Sequence, residues 1–179
     1  AGGHGTRFAS QQDAPKQFLS WRGMPLFWHA ALPFTHVARV KGIVFVFPGE
    51  FLEEAREDIA GRMQEETPGL PWLAVAGGAS RQESVHAGIN TLPRECDCVL
   101  IHDAARPFVS PVLVNRVLDG LEGGEAAVIP GIAVTDTIKE VDAAGHVRAT
   151  HERDGLRAVQ TPQGFRLDAP RAGLGTGKH

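Results

Sequence analysis

The chain has 179 residues, the size of one ordinary domain rather than two. Apolar residues make up 42% and charged residues 22%, a balance that excludes a disordered or fibrous protein. Eighteen Lys and Arg against 21 Asp and Glu give a formal net charge of −3, without the basic excess of a general nucleic-acid binder. No apolar run approaches the roughly 18 residues of a membrane span. The two cysteines, Cys96 and Cys98, form neither a redox Cys-x-x-Cys nor a metal-ligand set. The first residues hold no basic region followed by an apolar core, so no secretory signal is expected and a reducing cytoplasm is the expected compartment.

Taken in chain order, residues 42–47 (GIVFVF) read as a strand that Pro48-Gly49 ends. Over residues 50–67, Phe51, Leu52, Ala55, Ile59 and Met63 recur mostly at spacings of three and four, which predicts a helix. Residues 73–76 read as a short buried strand followed by Gly77-Gly78. A helix over about 82–91 places Val85 and Ile89 on one face. Residues 98–101 are another buried strand, ending at His102-Asp103. Ser110-Pro111 supplies an N-cap and a first-turn proline for a helix carrying Val112, Val114, Val117, Leu118 and Leu121. Residues 126–129 complete the series as a strand. Alternation of this kind predicts an α/β domain with a mostly parallel sheet covered by helices.

Residues 135–154 break the alternation. They read as a polar β-hairpin with a turn at Asp142 to Gly145. A hairpin with so few apolar residues is marginal alone and must rest on this domain or on another chain.

The chemistry-bearing segments are five. Ala1-Gly2-Gly3-His4-Gly5-Thr6-Arg7-Phe8, with Pro15-Lys16-Gln17-Phe18 after it, combines close glycines with two cations. Backbone N–H groups at Gly2, Gly3 and Gly5 could approach phosphate oxygens, with Arg7 and Lys16 supplying charge; a flexible solvated end is the alternative. Gly77-Gly78-Ala79-Ser80-Arg81-Gln82-Glu83-Ser84-Val85 lies at a strand-to-helix junction, suited to an anion or a base edge, or simply to a capped turn. His102-Asp103-Ala104-Ala105-Arg106-Pro107 follows a strand end, where ligands of open α/β sheets sit. Asp103 there suits Mg²⁺ shared with phosphates, or an Asp103–Arg106 pair that shapes the turn; His102 reads as a hydrogen-bonded packing residue. Val134-Thr135-Asp136-Thr137-Ile138-Lys139, and Arg153-Asp154-Gly155-Leu156 leading to Gln160-Thr161-Pro162-Gln163-Gly164-Phe165, look like hairpin and turn chemistry. The eight histidines show no metal-ligand spacing, and no Gly-x-Ser-x-Gly elbow occurs.

In their order, AGGHGTRF, PKQF, GGASRQESV, HDAARPF, VTDTIK and TPQGF resemble the 2-C-methyl-D-erythritol 4-phosphate cytidylyltransferase family. The resemblance implies a Rossmann-like nucleotidyltransferase core with an extended β-arm, about residues 135–154, in one domain spanning residues 1–179. It implies transfer from CTP to 2-C-methyl-D-erythritol 4-phosphate, with Mg²⁺ or another divalent cation. By position, Gly2, Gly3 and Gly5 match the triphosphate loop, Arg7 and Lys16 the catalytic cations, and Ser84 the cytidine contact beside Gly77 and Gly78. Asp103 matches the metal-binding aspartate, which also faces the acceptor, and Arg106, Thr137, Arg153 and Thr161 match the acceptor-binding residues. A homodimer joined through the β-arm is implied, with neither nucleic acid nor membrane as partner. The family's strand before the glycine loop and its segment after residue 165 have no counterpart here. The alternatives are a cytidylyltransferase for another polyol phosphate such as ribitol 5-phosphate, and a non-catalytic nucleotide-binding module. Fusion to a downstream enzyme of the same route is a third.

Overall fold

The computed structural model describes residues 16–67 and 69–167. After a single 3-10 turn (Lys16–Phe18), a minimal hairpin of β1 (Ser20–Trp21) and β2 (Met24–Pro25) leads into helix α1 (Leu26–Thr35). The rest follows as β3 (Ile43–Phe47), α2 (Leu52–Glu66), β4 (Trp72–Ala76), α3 (Arg81–Ile89), β5 (Cys98–Ile101) and α4 (Pro111–Glu122). Seven further segments close the described chain: β6 (Ala127–Val128), β7 (Gly131–Ala133), β8 (Lys139–Val141), β9 (Val147–Thr150), a turn at Arg153–Gly155, β10 (Arg157–Val159) and β11 (Gln163–Arg166).

The expected strands and helices form close to their expected bounds. Helix α1 was not signalled by periodicity, because LFWHAALPFT is apolar nearly all round and so shows no stripe. Its position explains the composition. Phe27, Trp28 and Ala31 pack with Phe45, Phe47, Ala55, Ile59, Met63 and Ala74, while Phe34 at its far end packs with Val37, Val114 and Leu118. One helix thus serves two apolar clusters. Each fully buried large side chain there contributes about 1.5–3 kcal/mol. The Trp28 indole N–H is satisfied by Glu66 Oε1 at 3.0 Å.

The chain is α/β, as expected, but its sheet is more mixed than mostly parallel. Strands β3 and β4 pair in parallel from Ile43↔Trp72 to Phe47↔Ala76. The second ladder runs β5-β11-β6, and both of its pairings are antiparallel. The cause is β11, in a segment that reads locally as turn chemistry. Gly164 admits α4 against this strand: a Cβ at this position would lie 2.6 Å from Val117 Cγ1 and 2.9 Å from Leu121 Cδ1. Three finer expectations also change. Val112 is 69% exposed and Leu73 50% exposed, and the buried face of α3 is Ser84, Gly88 and Ile89, with Val85 only half-buried.

The polar segment forms a ribbon of two antiparallel pairs, β7 with β10 and β8 with β9. Its tip is the expected turn. Asp142 Oδ1 accepts from Ala144 N at 3.0 Å and His146 N at 2.9 Å, and Gly145 supplies the positive φ of 85°. The pairing of β8 and β9 lies within the expected residues 135–154, and Ile132, Val141, Val147 and Val159 along the ribbon stay exposed. No helix among the described residues is long and apolar enough to cross a membrane.

Candidate active site

Three features meet at the ends of β3, β4 and β5. Gly77 N donates to Phe47 O at 2.7 Å, which ties the turn after β4 to the end of β3. On the same strand end, Phe18 packs against Phe47 and Phe51 with ring centroids 5.4 and 5.2 Å apart, anchoring the turn that begins at Lys16. The turn after β5 carries His102, Asp103 and Arg106.

The loop from Gly77 to Ser84 is shaped by its own side chains. Ser80 caps α3 by accepting from Glu83 N at 3.1 Å, and Glu83 Oε2 accepts from Ala79 N at 2.7 Å. This reciprocal arrangement holds the helix N-terminus. The two glycines are required by close approach. A Cβ on Gly77 would lie 2.7 Å from Ser84 Oγ, and one on Gly78 would lie 2.3 Å from Glu83 Cβ. Ser84 is fully buried, and its hydroxyl donates to Ser80 O at 2.9 Å. It therefore faces the loop backbone rather than an open base position.

Asp103 joins the two loops. Arg81 Nε donates to Asp103 Oδ1 at 3.2 Å and Arg106 Nε to Oδ2 at 3.3 Å, so each carboxylate oxygen has a guanidinium partner. Partly exposed pairs of this kind add at most about 1 kcal/mol each to stability. Their effect is geometric: Arg81 links the start of α3 to the turn after β5, and Arg106 closes that turn on itself. Arg106 NH1 also donates to Gln160 Oε1.

Behind this carboxylate lies a bonded histidine. His102 Nε2 is 3.0 Å from Arg106 O, and Nδ1 is 2.8 Å from Thr161 Oγ1. Burial pushes the His102 pKa below its ordinary value, partly opposed by the bond to the Arg106 carbonyl, so the neutral ring is favoured. Thr161 is 7% exposed, and its hydroxyl lies in hydrogen-bond contact with His102.

The structure thus brings together Gly77, Gly78, Ser84, Asp103, Arg106 and Thr161. Among the described residues, Thr137 and Arg153 make no hydrogen bond or ion pair with them. Both are exposed on the ribbon, where Arg153 NH1 donates to Thr135 O at 2.8 Å. Gly2, Gly3, Gly5 and Arg7 lie outside the described residues. Nothing local in the sequence marks Arg81 or Gln160, since the partner of each is remote in the chain. Among the described residues, no group of three or more His, Cys, Asp or Glu side chains could hold a metal ion.

The family model for IspD, 2-C-methyl-D-erythritol 4-phosphate cytidylyltransferase, matches residues 1–179. A bifunctional enzyme IspD/IspF of Oleidesulfovibrio alaskensis is 52% identical over 94% of this chain and 42% of its own length. The 2-C-methyl-D-erythritol 4-phosphate cytidylyltransferase of Rhodococcus jostii is 40% identical over 92% of this chain and 68% of its own. The crystal structure of 4-diphosphocytidyl-2C-methyl-D-erythritol synthase from Anaerococcus prevotii superposes with a TM-score of 0.72 at 27% identity, covering 84% of this chain and 65% of that one. The chain spans about two-fifths of the length of the bifunctional relatives. These relatives lend no support to a ribitol-phosphate enzyme or a non-catalytic module. On the match over its whole length, the chain belongs to the 2-C-methyl-D-erythritol 4-phosphate cytidylyltransferase family.

Proposed function

We propose that the complete protein carrying this chain transfers a cytidylyl group from CTP to 2-C-methyl-D-erythritol 4-phosphate, giving 4-diphosphocytidyl-2-C-methyl-D-erythritol and pyrophosphate. The observation that carries this reading is the junction of the β4 and β5 turns at Asp103, flanked by Arg81 and Arg106. In the reaction, an oxygen of the acceptor phosphate attacks the α-phosphorus of CTP in line. The bond from that phosphorus to the bridging oxygen breaks, and pyrophosphate leaves with the electron pair. The nucleophile is already an anion, so no general base is needed. The barrier lies in bringing anions together, which positioned cations lower.

The residues divide by side. Gly2, Gly3, Gly5, Arg7 and Lys16 take the triphosphate, with Arg7 and Lys16 balancing charge as the α-phosphorus changes partners. Gly77 and Gly78 let the backbone approach the base, and Ser84 supports that turn from beneath through Ser80 O. Arg106, Thr137, Arg153 and Thr161 serve the acceptor. Asp103 offers a hard carboxylate with 26% of its side chain exposed at the mouth. One carboxylate completed by triphosphate oxygens fits Mg²⁺, which commonly takes one or two carboxylates plus phosphates. When bound there, the cation would supply neutralisation of phosphate charge.

The acceptor residues on the ribbon call for a second subunit. Thr137 and Arg153 have no bond to the Asp103 cluster among the described residues, and Val141 and Val147 expose 54% and 60% of their surface. In this reading the ribbon is a dimer arm that completes the partner's site, and the protein works in the cytoplasm as a homodimer. Pyrophosphate release by the complete protein with CTP, Mg²⁺ and 2-C-methyl-D-erythritol 4-phosphate tests the reaction. Equal turnover of ribitol 5-phosphate, or no release at all, would overturn it.

A further inference from the structure

His102 bonds on one side to the turn after β5 and on the other to the segment before β11. Its Nε2 lies 3.0 Å from the Arg106 carbonyl oxygen and its Nδ1 2.8 Å from Thr161 Oγ1. A carbonyl oxygen can only accept, so Nε2 carries the proton. In the neutral ring Nδ1 is then the acceptor, and the Thr161 hydroxyl donates to it. That leaves the Thr161 oxygen to accept from Asp103 N, at a longer 3.5 Å. Every proton in the set has one place. The ring itself is wedged beside Phe34, with centroids 5.1 Å apart, so its plane is fixed by packing as well as by bonding.

We propose that His102 is a positioning residue, which ties the Asp103–Arg106 turn to Thr161 and so fixes the acceptor side of the site relative to its nucleotide side. Its kinetic consequence rests on the cytidylyl-transfer reading. Arg106 is exposed, and its guanidinium, bonded to Asp103 and Gln160, depends also on the placement of the backbone that bears it. His102 holds that backbone by its carbonyl. A misplacement of about 1 Å in such a group can lower a rate by about 10²-fold. A packing role alone would need the shape of the ring and neither of its bonds.

The experiment uses the complete protein and three variants. His102→Leu fills much of the space and removes both bonds. His102→Asn keeps an oxygen acceptor near the Nδ1 position and is the second variant should the leucine fail to fold. Thr161→Val removes the hydroxyl donor. The expected result for His102→Leu is a KM for the acceptor raised about tenfold, with the Kd for CTP changed less than twofold. The asparagine should recover part of that loss. The double variant with Thr161→Val should be no worse than the poorer single one, as members of one network are not additive. ¹⁵N shifts of the wild-type ring at pH 8 should show a protonated Nε2 and a bare Nδ1. The opposite tautomer, an unchanged acceptor KM in both His102 variants, or additive losses would overturn the proposal. No turnover by the wild-type protein would overturn the transfer reading and the kinetic role with it, while the tautomer still decides the bonding.

Discussion

The crevice loops and the ribbon are both short on buried apolar surface, yet they are held by opposite means. In the loops after β4 and β5 polar groups answer one another: Ser80 with Glu83, Ser84 with Ser80, Asp103 with Arg81 and Arg106, His102 with Thr161. The ribbon of residues 131–159 instead has ladder bonds between its own strands and exposed valines. Its side-chain bonds, such as Lys139 to Thr150 and Arg153 to Thr135, are local to it. A region tied this densely is organised before a ligand arrives. A ribbon tied only to itself gains its position from whatever it meets.

The largest effect should come from the carboxylate at the centre of the tied region. Asp103→Asn keeps the shape and removes the charge, so kcat should fall about 10²- to 10³-fold, as for loss of one preorganised electrostatic group. An unchanged circular dichroism spectrum would show the fold intact. Near-normal turnover would remove Asp103 from the mechanism.

The ribbon can be tested by complementation. In the complete protein, Lys16→Ala and Arg153→Ala should each be nearly inactive alone. If Arg153 acts across a two-fold axis, random mixing makes half the dimers heterodimers, each with one intact site. About a quarter of wild-type activity should return. If both residues serve one chain, mixing returns nothing. A monomer by sedimentation would collapse the contrast drawn here.

Two glycines sharpen the contrast in stability. Gly78→Ala forces a Cβ to 2.3 Å from Glu83 Cβ, and should cost about 1–3 kcal/mol by denaturant titration. Gly155, on the ribbon, has open space around the same position, so Gly155→Ala should change stability by no more than about 0.5 kcal/mol. Equal losses at both would deny that the crevice is the tighter region.

The smallest effect concerns the cap. Ser80→Ala leaves Glu83 N without its acceptor and should cost about 1 kcal/mol of unfolding free energy. Because this loop shapes the nucleotide side, the KM for CTP should rise while that for the acceptor stays put. A rise in the acceptor KM alone would place the loop on the wrong side.

The sequence by itself determined the elements whose signals are local. β3 is a β-branched and aromatic run, α2 an apolar stripe, and α4 starts at Ser110-Pro111, whose hydroxyl does accept from Leu113 N at 3.2 Å. The turn at Asp142 to Gly145 was legible for the same reason, since side chain and glycine act within a few residues. The order of six short motifs pointed to the family, which the match over the whole chain then established. Tertiary structure decided the rest. α1 was invisible because a helix buried on every side has no stripe. β11 is a strand through its pairing with β5 and β6, and Gly164 leaves room for α4 against it. Arg81 reached Asp103 from 22 residues away, and Thr161 reached His102 from 59. Ser84 and Thr161, matched by motif to ligand contacts, also bond Ser80 O and His102, which no local pattern announced. A motif fixes which atoms are near in the chain, whereas packing fixes which way they point.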